Sequence, residues 1–440
     1  MPILRAAFPF VAARGAKARC ACSRALAALA SNRAKGLVAI PLAALLAPLA
    51  GCAGGSAGKP SVDQHAVDRY RASGYSFATQ EGVSVHRFTA PVSQIAWSFA
   101  LVQAPPRAGS SRPVIVYQPA LGESDDAPCA WTEKWARAGY AVVQLQPLDD
   151  DAHIWATPEA RSGDFERVAR GRFADDLMAD RIARLARLVA QTRARSEAGE
   201  PALAGLDWNR VALAGADLGA YTVQSIAALS PEQLRAGGWT VTPRAFIVIS
   251  PFAKAAEAGA AASASPAGAS APVLMISSED DVDAYGVITD VALRHAAFDR
   301  LASGDDFYLE LHSASHRWLG GMSTDQLNSP EAVARRTPTF REPSAGAKRP
   351  GPSASEGVAP DEDLTPEATA QLAATRKERE MQLVQARSRL MTRVAMNEVG
   401  FEDVSTAFLD TYLRQDARAK SWLLESAAAW LQDGDRLKHR

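Results

Sequence analysis

Between residues 113 and 312 short runs of consecutive apolar residues alternate with longer stretches whose apolar positions recur at helical spacing. PVIVYQ (113–118), AVVQLQ (141–146), RVALAG (210–215), AFIVIS (245–250), PVLMIS (272–277) and DFYLELH (306–312) read as strands, because each is short, apolar and rich in β-formers. CAWTEKWARAGY, ending near Gly139, the Ala-, Leu- and Arg-rich stretch 173–195, the segment from Ala220 and residues near 287–301 read as helices. YSFAT (75–79) and IAWSFALV (95–102) add two earlier strands. Strands apolar on both sides, separated by helices, predict a mainly parallel sheet covered on both faces, an α/β fold.

Two segments break the alternation. Residues 254–271, KAAEAGAAASASPAGASA, have the composition of a low-complexity surface insertion. Residues 323–365 are rich in Pro, Ser, Gly and charge and end at a helix-start signal, Thr365-Pro366. A polar helix is expected over 366–402 as a lid or arm. The closing helix of the core is expected within 403–440, where Val404, Phe408, Tyr412 and Leu413 share one face. The core itself spans 75–322.

The N-terminus reads as an address. Residues 37–50, LVAIPLAALLAPLA, follow a basic stretch and are too short to span a bilayer comfortably, so 1–51 read as a signal peptide. Leu49-Ala50-Gly51-Cys52 resembles the bacterial lipobox, in which the Cys is lipidated and becomes the first mature residue. That resemblance implies a lipid anchor on Cys52, a flexible linker over 52–74, and a place in the bacterial envelope. Ala53, rather than Asp, after the Cys favours the outer membrane, facing the periplasm.

Charge and cysteine content follow from that division. The whole chain carries 48 basic and 49 acidic residues, but 1–51 hold seven basic residues and no acidic one. Taking 7 from 48 leaves 41 basic against 49 acidic, a net of −8 for the remainder. A chain that acidic, without a basic cluster, does not suit nucleic acid. Cys20 and Cys22 fall in the signal and Cys52 takes lipid, so Cys129 stands alone; buried packing is its simplest role.

The sharpest local pattern is Arg210-Val-Ala-Leu-Ala-Gly215-Ala216-Asp217-Leu218-Gly219-Ala220-Tyr221. A buried strand runs through Gly-X-Asp-X-Gly straight into a helix, the sequence of a nucleophile elbow with Asp217 at its tip. Acidic residues follow the PVLMIS strand at Glu279, Asp280, Asp281 and Asp283, and Ser313-Ala314-Ser315-His316 follows DFYLELH. The order elbow, acid, His at the ends of successive strands is that of α/β-hydrolases.

On these residues the chain resembles the α/β-hydrolase superfamily, most closely the platelet-activating-factor acetylhydrolase-like and dienelactone hydrolase-like esterases, over about 75–320 and the final helix. The resemblance implies a catalytic set of Asp217, Asp280 and His316, with Asp281 and Asp283 as rivals to Asp280. It also implies an oxyanion hole made by the backbone amides of Leu121 and Leu218, in Gln118-Pro119-Ala120-Leu121-Gly122 and after the elbow. No cofactor follows from it, and the expected partner is a small-molecule or lipid-like substrate or ligand.

The family's elbow residue is Ser, and Asp217 leaves three chemistries open. A carboxylate can attack an sp3 carbon, as in the haloalkane dehalogenases and epoxide hydrolases of this fold; those usually carry Trp where Leu218 stands here. The pocket can instead be a binding or scaffolding site, with His316 held as an imidazolium between two carboxylates. Or His316 can activate water against an ester with no Ser involved.

The other candidates have plainer readings. His312 lies in strand-like sequence and suits packing or surface. His65, His86, His153, His295 and His439 have no partner at ligand spacing, so no metal site is expected. The 279–283 acidic turn lacks the central Gly and terminal Glu of a calcium loop, and no dinucleotide or phosphate-binding Gly pattern follows a strand. Trp131, Trp135, Trp155 and Trp318 fit either core or pocket lining.

Overall fold

The computed structural model describes residues 59–92, 95–103, 111–123, 129–253, 271–283, 285–288, 290–301, 304–322 and 366–440. The expected signal peptide over 1–51, Cys52, most of the expected 254–271 insertion and the expected 323–365 excursion lie outside the described residues.

Helix α1 (Gln64–Ala72) precedes an antiparallel pair, β1 (Ser84–Val92) and β2 (Ile95–Gln103). Then come β3 (Arg112–Gln118), α2 (Ala130–Arg137), β4 (Ala141–Pro147), two short helices α3 (Pro158–Arg161) and α4 (Phe165–Arg172), and the long α5 (Asp175–Glu197). β5 (Leu206–Ala216) leads into α6 (Leu218–Ala227), followed by α7 (Pro231–Ala236), β6 (Ala245–Ile249) and β7 (Val273–Ser277). The chain continues through α8 (Ala292–Asp299), β8 (Phe307–Glu310) and α9 (His316–Leu319). It ends with α10 (Pro366–Leu413), α11 (Ala417–Ser421), α12 (Ala427–Trp430) and β9 (Arg436–His439).

Among the described residues nine strands form one sheet in the order β1-β2-β4-β3-β5-β6-β7-β8-β9. The pairings from β4 through β3, β5, β6 and β7 to β8 are parallel; β2 joins β4, and β9 joins β8, antiparallel. This is an α/β fold. Alternate side chains feed two cores, as strand pleating requires. Ile115 and Tyr117 pack with Trp131, Trp135, Phe401 and Phe408 of α2 and α10 on one face. Val114 and Val116 pack with Leu185, Leu188 and Val223 of α5 and α6 on the other.

Three expectations are corrected. YSFAT (75–79) is irregular rather than a strand: the Tyr75 amide, which a sheet would have used, donates to Asp403 Oδ2 of α10 (3.0 Å), and the Tyr75 hydroxyl is anchored on Asp410 Oδ2 (2.8 Å). Residues 64–72, expected inside a flexible linker, form α1, whose Val67 and Tyr70 are buried against Val399. The expected boundary at 402/403 does not exist, because one 48-residue helix, α10, runs through it. Its side chains are exposed through most of 370–390 and become buried only beyond Met396, where the helix reaches the sheet. Among the described residues no helix is long and apolar enough to cross a membrane.

Candidate functional site

The carboxyl ends of β3, β5, β7 and β8 deliver one residue group each to the same place. This is the edge of an open α/β sheet where loops gather and ligands bind. β5 ends at Ala216, and Asp217 then adopts φ 53°, ψ −112° before α6 begins. A side-chain-bearing residue at positive φ is strained by about 1–3 kcal/mol and is held there by its surroundings. Two glycines make the turn fit. A Cβ on Gly219 would sit 2.0 Å from the Gln118 carbonyl oxygen, and one on Gly215 would sit 2.5 Å from the Gly219 backbone. Both clashes are with backbone, so Gly219→Ala is expected to destabilise the fold by about 1–3 kcal/mol, because close-packed backbone gives way poorly. An unchanged urea midpoint for that variant would disprove the packing argument.

Asp217 is almost entirely buried, at 4% exposure. Its Oδ2 accepts the Leu121 amide at 3.3 Å, and its Oδ1 lies 3.7 Å from His316 Nε2. The other imidazole nitrogen, Nδ1, is 2.6 Å from Asp281 Oδ1. Asp217, His316 and Asp281 therefore form one line, with the Leu121 backbone closing its far end. Leu218, the first residue of α6, is buried, and its amide is among those a helix start leaves without an intrahelical partner.

The acid on His316 is Asp281, not Asp280. After β7 the chain turns with the Asp281 amide on the Ser278 carbonyl (3.2 Å), which brings residue 281 back over the sheet and leaves Asp280 exposed. Asp283, the other rival, is spent on structure, accepting the amides of Tyr285 (2.7 Å), Val287 (2.6 Å) and Ile288 (3.1 Å). Glu279 accepts the Ser313 amide at 2.9 Å and contacts His312, so His312 belongs to a surface contact with Glu279 rather than to the site.

Asp281 has no exposure at all, yet its carboxylate is well satisfied. Ser250 Oγ donates to Oδ1 (3.0 Å) and Ser277 Oγ to Oδ2 (2.7 Å). Arg294, itself 1% exposed, lies 3.5 Å from Oδ2 through Nε. Its Nη1 donates to the carbonyls of Ser250 and Pro251, both at 2.9 Å, and its Nη2 is 3.4 Å from His316 Nδ1. Ser250, like Asp217, stands at positive φ, 58°. A buried guanidinium thus stands behind the acid, and backbone strain is placed at both ends of the arrangement.

These contacts set the charges. Burial pushes the Asp281 carboxyl upward, but Arg294 and the His316 hydrogen bond outweigh it and hold its pKa below the usual carboxylate range. For Asp217 burial wins over the opposing charges of His316 and Arg294, and its pKa is raised. Burial disfavours the charged His316, yet the hydrogen bond to Asp281 and the charges of Asp281 and Asp217 raise its pKa. These surroundings favour the charged form of His316 and of Asp281, while burial favours the neutral form of Asp217.

Over the site lies the connection between β4 and α5. Trp155 donates its Nε1–H to the Gly122 carbonyl (3.0 Å) and stacks on Tyr285 with centroids 5.2 Å apart. Ile154, Ala169 and Phe173 pack on Leu121 and Leu218, the two expected oxyanion residues. The segment packed over the site is 148–173; the 366–402 helix is the one expected as a lid or an arm. Of the four tryptophans in question, Trp131, Trp135 and Trp318 are core residues and Trp155 roofs the site. Cys129 is buried 3.4 Å from the Tyr117 hydroxyl, and its thiol is pushed up to about 12 by burial and by the charge of Glu123. That leaves it inert at neutral pH.

Sequence reasoning passed over Arg294 and Glu123. Arg294 did leave a trace: it occupies the i position of an i, i+3, i+4 set with Ala297 and Phe298, a cation on the apolar face of α8. Glu123 left none, standing in a polar turn two residues beyond Leu121.

Fold and site together define an α/β protein with a strained elbow, an Asp–His–Asp relay and a backbone amide facing the elbow carboxylate. None of the protein-family models matches the chain, and no curated protein is similar enough to match.

Proposed function

We propose that this chain is a hydrolase of the α/β-hydrolase fold that uses Asp217 as a carboxylate nucleophile on an sp3 carbon bearing a leaving group, an epoxide or alkyl halide. The strand order β1-β2-β4-β3-β5-β6-β7-β8, with the site residues after β3, β5, β7 and β8, supports the hydrolase fold. One observation carries the chemistry. Asp217 has one oxygen on the Leu121 amide and the other beside His316, so a single carboxylate is both nucleophile and, after alkylation, an ester with its carbonyl already in an oxyanion hole.

The electrostatics suit two steps. While Asp217 is ionised its charge favours the protonated form of His316. Once Asp217 is an ester its charge is gone, one of the causes raising His316 is removed, and the imidazole becomes a better base for the water that must attack the ester. Asp281 and Arg294 hold the ring throughout. An acyl substrate would give an anhydride instead, which disfavours the ester-cleaving alternative. We place the protein in the bacterial envelope on a lipid anchor at Cys52, on the lipobox-like sequence alone.

A non-catalytic binding role has one observation in its favour: Asp217 and His316 lie 3.7 Å apart with their side chains nearly closed off, at 5% and 11% exposure. The test uses His316→Gln, which keeps the nucleophile but removes the base. Incubated with propylene oxide or n-propyl bromide at mildly alkaline pH, this variant is expected to gain the mass of one alkyl group, mapped to Asp217. Its turnover is expected to fall by about 10²–10⁴-fold, the usual worth of a general base. Absence of any adduct, together with inert wild-type protein, would sink the nucleophile reading and leave the binding role.

A further inference from the structure

Glu123 is the acidic residue beside the site that the two-step scheme does not use. It ends the turn that carries Leu121, and its Oε2 accepts the Ala120 amide at 3.3 Å. Its Oε1 lies against Gly320, where a Cβ would meet it at 2.8 Å. Gly320 caps α9, whose first residue is His316. The carboxyl is thus wedged between the two elements that frame Asp217, the oxyanion turn and the His316 helix. It is close enough to both Asp217 and His316 for their charges to act on it, and Tyr117, Cys129 and Tyr285 sense its charge in turn.

Such a group has a chemical use only for some leaving groups. Halide departs as a stable anion and needs no proton. An oxygen leaving carbon departs as a strongly basic alkoxide and is helped by an acid at hand. We propose that Glu123 is the proton donor to the oxygen that leaves carbon when Asp217 attacks, which makes an epoxide the substrate class of this site. The proposal rests on the carboxylate-nucleophile reading above.

In the first step Asp217 Oδ1 forms a bond to the epoxide carbon, the C–O bond of the ring breaks, and the alkoxide takes the Glu123 proton. His316, having released its own proton to solvent once Asp217 is an ester and regaining it when the cycle closes, next removes a proton from water, whose oxygen attacks the Asp217 ester carbon. The ester C–O bond breaks and the departing oxygen takes the proton from His316. The acid proton left on Asp217 returns to Glu123. The sum is one epoxide and one water giving one vicinal diol, with every group restored. Burial, reinforced by the charge of Asp217, pushes the Glu123 carboxyl up to about 8, so it holds the required proton at neutral pH.

The test compares two probes of the same carbon skeleton, propylene oxide and n-propyl bromide, by the rate at which each alkylates Asp217. In wild-type protein the epoxide rate is expected to fall as pH rises through about 8, where Glu123 loses its proton, while the bromide rate does not fall. Glu123→Gln, a neutral near-isostere, is expected to slow epoxide alkylation by about 10²-fold and leave bromide alkylation within a few-fold. Equal loss with both probes, or an epoxide rate indifferent to pH and to Glu123→Gln, would make Glu123 a structural residue and overturn the proposal. If only the bromide alkylates Asp217, the nucleophile reading stands and the epoxide assignment falls. Alkylation of Asp217 by neither probe would remove the nucleophile reading, and this proposal with it.

Discussion

Asp217→Ser is expected to hydrolyse short-chain p-nitrophenyl esters at least about 10²-fold faster than the parent chain, the scale of positioned general-base catalysis. The same variant should lose all alkylation by propyl bromide. In the parent, the charge of Asp217 favours protonated His316, and its own oxygen occupies the Leu121 amide. Serine removes both obstacles: the imidazole moves toward its neutral form, and the amide is free for a tetrahedral oxyanion. The backbone needs no change, because the elbow is already held at φ 53° by Gly215 and Gly219. His316→Ala in the Asp217→Ser background should abolish the new activity, and a fluorophosphonate should label Ser only in the variant. A folded Asp217→Ser protein that neither hydrolyses esters nor takes the label would show that the pocket is not built around that geometry.

The second large effect is on stability. Arg294→Met is expected to destabilise the folded protein by about 3–5 kcal/mol at neutral pH, the usual penalty for removing one partner of a buried ion pair, since Asp281 then keeps His316 and two serine hydroxyls but loses its guanidinium. Arg294 and Asp281 are 1% and 0% exposed, so solvent cannot take over the lost interaction. The Ser250 and Pro251 carbonyls lose their donor as well. The pH dependence has a definite sign. Asp281 is depressed in the folded wild type, so it contributes stability above the unfolded carboxyl value of about 3.9 that is lost as pH falls through its lower folded value. Without Arg294, the largest of the interactions holding that carboxyl down is gone and its pKa moves upward, so the stability difference between the two proteins should shrink as pH falls through the variant's value and on through the lower wild-type one. Urea denaturation of both proteins across that range measures it. A gap below about 1 kcal/mol at neutral pH, or one that widens in acid, would contradict the assigned pairing.

The architecture was legible because sheets and helices announce themselves locally. Six runs from PVIVYQ to DFYLELH became β3 to β8 in the expected places, since a strand buried on both faces has to be continuously apolar. The elbow was equally plain, since only a Gly-X-X-X-Gly spacing lets a strand turn sharply into a packed helix, and Asp217 took its strained position there. His316 and the Leu121 amide follow from the same rule, each standing just past a strand end.

What one position along a turn decides was not legible. Asp280, Asp281 and Asp283 are equivalent as sequence, and the hydrogen bond from the Asp281 amide to Ser278 selects which carboxylate returns to His316. YSFAT has the composition of a strand, yet Asp403 and Asp410, more than three hundred residues away, take the Tyr75 groups. Arg294 and Glu123 acquire meaning only from neighbours distant in the chain. The sequence by itself determined the layers, the elbow and the kinds of residue at the site, because those depend on periodicity and local backbone sterics. Only the tertiary structure decided which acid serves His316, what charge each group carries and what roofs the pocket. Burial and the position of opposite charges set those, and both are properties of residues brought together from far apart.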